Sequence, residues 1–206
     1  MNALWRDVCG QNDYMRFDEV LTRDDGPAIA AELAALRKPA RYVIEGVHQD
    51  SPQEYWQFRL DVDEPRQSWT LDRSDSPPVG YRDGLLRDED YPNGSIEETF
   101  DGSTTSAPVV RMVLPELMLR WGRGPESFHP ILVQHIGRRS ILVTFEHRED
   151  PATRTTLVIN EHDGIARRSM EYGGGTIVTS VRTGAPDEVL PPARFEPLTD
   201  WIRSDY

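Results

Sequence analysis

Cysteine is nearly absent: the 206 residues hold one, Cys9. A lone thiol closes no internal disulfide, which excludes a disulfide-built secreted module. Lysine is as rare, Lys38 being the single example, so positive charge is carried by arginine, a usage that points to a GC-rich genome. Positive charge is itself short, with 23 Lys+Arg against 35 Asp+Glu and a net charge of −12. Nucleic acid and anionic membranes require clustered positive charge, so neither is expected as the main partner. Long apolar runs are missing too. Val109–Leu114 is interrupted by Arg111, and Ile131–Val133 is shorter still. Both fall far below the roughly 20 apolar residues of a membrane-spanning helix. Met1 to Asp18, broken by Arg6, Asp7, Asp13 and Arg16, does not read as a secretory signal, so the expected location is cytoplasmic.

Catalytic and cofactor signatures are also lacking. There is no G-x-S-x-G elbow, no P-loop and no dinucleotide-binding glycine pattern. Gly173-Gly174-Gly175 reads as a turn, because no helix follows to offer its N-terminal amides to a phosphate. The five histidines, His48, His129, His135, His147 and His162, stand in no pair or triad with metal-ligand spacing. The acidic stretch Arg87-Asp88-Glu89-Asp90, with Glu97-Glu98 nearby, fails the calcium-loop template: counting back from Gly94 places Glu89, Tyr91 and Asn93 at the ligand positions. Cys9 has no nucleophile signature around it. Asn93-Gly94-Ser95 matches a glycosylation sequon, which has no meaning in a protein expected in the cytoplasm. No metal, no cofactor and no catalysis are expected.

What is present is ordinary globular composition, 37% hydrophobic, at a length that buries roughly 70% of the unfolded surface. The expectation is one domain over residues 1–206. A helix is predicted over Ala28–Arg37, opened by Asp24-Asp25-Gly26-Pro27, striped by Ile29, Leu33 and Leu36, and closed by Lys38-Pro39. A shorter helix is predicted near Tyr14–Leu21, with Met15, Val20 and Leu21 as its apolar contacts.

After Pro39 the period changes to two. Arg41–Gln49 and Gln67–Asp72 read as strands, and Glu54–Asp63 is the clearest of all. Trp56, Phe58, Leu60 and Val62 share one face, so Trp56, Phe58 and Leu60 should be buried and Arg59 and Asp61 exposed. Ser74–Gly80 reads as a loop, and Tyr81–Leu86 as a hairpin on Asp83-Gly84. Asp88–Pro108 reads as a long polar loop, and Val109–Trp121 as two short helices meeting at Pro115. From Ile131 an antiparallel meander follows, through Ser140–His147, Thr155–Asn160, Ile165–Tyr172 and Thr176–Arg182. A proline-rich tail follows, with Phe195 and Trp201 expected to pack it down. The fold class is α+β: a single strongly curved antiparallel sheet, an incomplete barrel, wrapped around short helices.

The meander carries Gly137-Arg138-Arg139, Thr156-Leu157-Val158-Ile159-Asn160 and Asp163-Gly164-Ile165, and closes on Pro192-Ala193-Arg194-Phe195-Glu196-Pro197. Over Gly137–Pro197 this resembles the lipoprotein-carrier-like (LolA-like) superfamily, in the version common in actinobacteria. The resemblance implies a half-barrel with helices on its open side and an apolar cavity between. It also implies binding of acyl chains, or a sensory or scaffold role, rather than an enzyme. It carries over no functional residue.

Large apolar residues on strand faces are mostly core, yet in a half-open barrel they can line a ligand cavity. The candidate ligand-binding residues are Trp56, Phe58, Leu60, Trp69, Leu71, Val143 and Phe145. Two functional readings follow. One is a non-enzymatic binding module whose apolar cavity takes a lipid-like or other hydrophobic small molecule. The other is a regulatory or protein-interaction domain with a filled barrel and an acidic surface facing a protein partner. A third, an enzyme, would need Glu or His groups converging in a cleft. The first two separate on whether the interior is open or filled.

Overall fold

Alternation of period two governs most of the chain. The computed structural model describes residues 15–51, 53–88, 96–97, 109–113 and 128–196. Its strands are β1 (Glu19–Val20), β2 (Arg41–Gln49), β3 (Tyr55–Asp63), β4 (Ser68–Arg73), β5 (Val79–Arg82) and β6 (Leu85–Arg87). They continue as β7 (Ile96–Glu97), β8 (Phe128–Ile136), β9 (Ser140–His147), β10 (Arg154–Asn160), β11 (Ala166–Glu171) and β12 (Gly174–Thr183). One helix, α1, spans Gly26–Leu36. The twelve strands form one open sheet in the order β1-β8-β9-β10-β11-β12-β2-β3-β4-β5-β6-β7. Every pairing is antiparallel, so the fold is the α+β curved sheet that the periodicity indicates.

Helix α1 begins where proline helps it, with Pro27 in the first turn where its missing N–H costs nothing. Just before it, the Asp25 carboxylate accepts the Thr22 amide at 2.7 Å and the Thr22 hydroxyl at 2.8 Å. Ile29 and Leu33 are buried, and Leu36 packs against the same apolar cluster. That cluster takes Tyr42 and Ile44 from β2, Trp56 to Val62 from β3, Trp69 and Leu71 from β4, and Val143 and Phe145 from β9. It also takes Leu157 and Ile159 from β10. Among the described residues the sheet thus has an inner face, toward α1, and an outer one.

The register is fixed by side-chain size as well as by polarity. Gly46 on β2 stands opposite Phe58 on β3. A methyl group at Gly46 would sit 2.6 Å from Phe58 Cζ and collide with the Ile177 carbonyl of β12. The glycine therefore lets the ring lie flat across β2. The β5–β6 turn depends on Asp83 and Gly84, both at positive φ (56° and 80°), the conformation a two-residue hairpin demands.

Several expectations are corrected. The segment before α1 is not a helix: Asp18, at φ 59°, turns the chain into β1. There Glu19 and Val20 pair with Val133 and Leu132, and the amides of Asp18 and Leu21 bond to the carbonyls of Val133 and Ile131. Leu21 is buried while Val20 is exposed, the alternation of a strand edge. Val79 and Gly80 belong to β5 rather than to a loop, and Ile96–Glu97 within the expected polar loop pairs with β6. Val110–Met112 is a single 3₁₀ turn. The remainder of the expected helix to Trp121 lies outside the described residues, as do most of the 88–108 loop, Cys9 and Trp201. Arg59 and Asp61 are half-buried, not exposed, because each is paired with a charge on the next strand and lies beside the C-terminal segment.

Phe58 is fully buried, so Phe58→Ala should destabilise the fold by about 3–5 kcal/mol in urea unfolding. Gly46→Val should match or exceed that loss, since it drives a branched side chain into the ring and into backbone. A Gly46→Val protein of unchanged midpoint would show that the two strands do not meet in this register.

Candidate functional site

The seven candidate residues come together in the inner apolar cluster. Leu60 stands opposite Leu71 and Val62 opposite Trp69 across β3 and β4, while Trp56 and Phe58 extend the row toward the β2–β3 turn. Val143 and Phe145 contribute from β9. None of the seven is more than 4% exposed, and Leu60, Val143 and Phe145 have no exposed surface. A side chain lining an open cavity keeps area accessible to a water-sized sphere. These do not, so among the described residues this part of the interior is filled.

One polar atom in that interior stands out. Trp69 Nε1 is buried with no hydrogen-bond acceptor, although its ring stacks near Tyr81 at 6.2 Å between centroids. An unmet donor in an apolar interior costs about 1–3 kcal/mol.

A polar knot closes the same face at the β2–β3 turn. His48 takes the inward parity of β2, the one that carries Tyr42, Ile44 and Gly46, and is buried. Its Nδ1 lies 2.7 Å from Thr176 Oγ1 and its Nε2 2.9 Å from Asp50 Oδ1. The second Asp50 oxygen accepts Trp56 Nε1–H at 2.9 Å. The Arg73 guanidinium sits 4.0 Å over the Trp56 ring and is itself held by both oxygens of Asp75. Partial burial pushes the Asp50 carboxyl up, but the hydrogen bonds from Trp56 and His48 and the positive charge nearby outweigh it and hold it below the usual carboxylate range. Asp, His and Thr in series echo a nucleophile relay, yet Thr176 is buried on a strand, where no substrate reaches it. The knot ties β2, β3, β4 and β12 together. Its sequence signal was parity: His48 falls on the inward face of β2.

The outer face of β2–β4 is built from charge. Arg41 binds both oxygens of Asp61 at 2.8 and 2.6 Å, and Arg59 reaches Asp72 at 2.6 Å. Residues 184–196 then cross this face. Arg41 donates to the carbonyls of Ala185 and Pro186, Arg66 to Pro186 and Asp187, Arg182 to Glu188, and Gln57 to the Glu196 carbonyl. Two grooves of about 520 and 560 Å³ run beside the crossing segment, sharing Asp61 and Thr70. Their cations are engaged with the chain's own carboxylates and carbonyls.

Two further histidines serve local structure. His147 Nδ1 accepts the amides of Glu149 and Asp150 in the β9–β10 turn. His135 stacks on Phe17 at 3.8 Å and pairs with Glu161 at 2.7 Å. Among the described residues no group of three or more His, Cys, Asp or Glu could hold a metal ion, and no helix is long and apolar enough to cross a membrane.

No family model and no curated protein matches this sequence. Among solved structures the chain is similar to a LolA superfamily protein from Nitrosomonas europaea, at 10% identity over 81% of this chain and 94% of that one, with a TM-score of 0.36. It is also similar to the MucA/MucB complex of Pseudomonas aeruginosa, at 14% identity over 76% of this chain, with a TM-score of 0.42. It spans 58% of that second chain. The first carries the superfamily name that the sequence itself resembles. Neither likeness bears on what this chain binds.

The knot has a pH signature. Because the folded Asp50 carboxyl titrates below its unfolded value, it stabilises the fold above the unfolded value, and that contribution is lost as pH falls through the folded one. Asp50→Asn should therefore reduce stability at neutral pH and flatten the acid limb of the stability–pH curve. Parallel acid limbs for wild type and variant would remove Asp50 from the account.

Proposed function

We propose that the chain is a non-catalytic binding module and that its ligand is a protein, held on the outside of the sheet. The observation that carries this reading is the filling of the interior. Seven large apolar residues that would have to wall a ligand cavity pack against one another and against α1 instead. The catalytic alternative has little to stand on, because buried His48 spends one ring nitrogen on buried Thr176 and the other on Asp50.

One observation favours the other ligand class. Trp69 Nε1 offers a buried donor with no acceptor, and a carbonyl or carboxylate carried in by an apolar molecule would satisfy it. On that second reading Trp56, Phe58, Leu60, Trp69, Leu71, Val143 and Phe145 move apart to line the space, with the acyl chain along β3 and β4.

A fluorescent fatty-acid analogue, and mass spectrometry of an organic extract of the purified protein, separate the two. The protein-ligand reading expects no saturable quenching of tryptophan emission at micromolar probe and no co-purified lipid. Saturable quenching abolished by Leu71→Asp in a folded variant would establish the interior cavity and displace our reading.

A further inference from the structure

Resting on the reading of a protein-binding module, we propose that the arginine-lined outer face of β2–β4 takes an extended, acidic, proline-bearing segment of a partner protein, and that residues 185–196 hold its place. Strand β12 ends at Thr183, and beyond Gly184, whose amide bonds to the Arg41 carbonyl, the chain leaves the ladder. From there to Glu196 it is neither helix nor strand. It crosses the face as a strap gripped by side chains.

The chemistry of the strap names the chemistry of the partner. The face supplies donors. Arg41 donates to the carbonyls of Ala185 and Pro186, and Arg66 to the Pro186 carbonyl and the Asp187 carboxylate. Arg182 donates to both Glu188 oxygens, and Gln57 to the Glu196 carbonyl. The strap answers with acceptors. Pro186, Pro191 and Pro192 bring carbonyls without a backbone N–H, so they leave no donor unmet against a face of donors. Proline also keeps a segment extended, which lowers the entropy lost when it docks. The net charge of −12 opposes an acidic partner only at long range, where salt screens it beyond about 8 Å, whereas these donors act in contact.

The grip is exchangeable. The side chains of Arg66 and Asp187 are 54% and 91% exposed, and ion pairs at such exposure add little to stability. Past Gly184 no side chain of the strap is fully buried: Leu190, Ala193 and Phe195 are half-buried and Val189 is exposed. Arg41, fixed by Asp61 and only 11% exposed, is the part of the face that stays in place. The two grooves lie beside the strap, one against Pro186 and Glu188, the other against Leu190 and Phe195, and both include Asp61 and Thr70. An incoming segment therefore engages the face beside the strap before it lifts it.

The test uses the full chain and a labelled peptide with the sequence of residues 184–196, read by fluorescence anisotropy. In the double variant Asp187→Ser, Glu188→Ser the strap loses its carboxylates and the free peptide supplies them. That variant should bind the peptide at micromolar concentration, and wild type at least about tenfold more weakly. A peptide carrying the same two serines should bind neither protein. Adding Arg66→Ala to the double variant should weaken binding at least about tenfold, while adding Tyr172→Ser, at a distant exposed turn, should change nothing. Hydrogen exchange at 188–190 should rise in the double variant. No binding to a folded double variant at about 100 µM overturns the proposal, as does equal affinity for wild type or unchanged exchange. Binding that ignores Arg66→Ala overturns the location and leaves a protein ligand in place. Saturable uptake of the fatty-acid probe overturns the functional reading beneath it. Self-association of wild type by sedimentation, lost in Arg66→Ala, would name the strap of a second copy as the occupant and overturn the separate partner.

Discussion

The flat lie of Phe58 across Gly46 sets the geometry on which the rest of the sheet depends. It fixes the register of β3 on β2, in which Trp56 and Leu60 share the parity of Phe58. It also leaves Ile44 and Tyr42 free to meet the core that α1 shares. Among the described residues the one eleven-residue helix gives Ile29, Leu33 and Leu36 to the apolar cluster, and most of its large side chains come from the strands.

Polarity is handled differently on the two sides. On the inner side, His48 and Trp56 are pinned at the sheet's end around Asp50, and Thr176 through His48. Outside, arginine does the work: Arg41 grips Asp61 on the next strand through two parallel bonds, and Arg59 reaches Asp72 through one. Arg41 and Arg66 then take backbone carbonyls of the crossing segment. A chain with a single lysine suits this surface, because a guanidinium can hold a carboxylate and a carbonyl at once and an ammonium cannot match the fork.

The strands were legible because alternation is local. Arg41–Gln49 and Ser140–His147 read from composition coincide with β2 and β9. So was the helix, whose proline and striping are local signals too. The short stretch 15–21 was not, because Met15, Val20 and Leu21 fit a helical stripe as well as a strand. What decides it is a partner, β8, more than a hundred positions away. Of the candidate site, the seven apolar residues were found as one face, but whether that face is core or cavity depends on how closely opposite side chains approach, which no period encodes. The charged outer face escaped notice because the carboxylates of β3 and β4 appear in sequence only as solvent-facing positions. The crossing of residues 184–196 turns them into a second, drier surface.

The strand order has a kinetic side. Apart from β1, every strand pairs with its neighbour in sequence except at one seam, where β12 meets β2 and Gly175 stands opposite Gln49. Hairpins on either side can close quickly over short loops, whereas the seam must close most of the chain at once. The seam also holds the contacts that fasten the structure: the Ile177 carbonyl over Gly46, Thr176 against His48, and the start of the segment that Arg41 straps down. Two meanders that form early and a seam that closes late make the order of assembly a property of the topology, and place the slowest step where the inner knot and the outer strap are both completed.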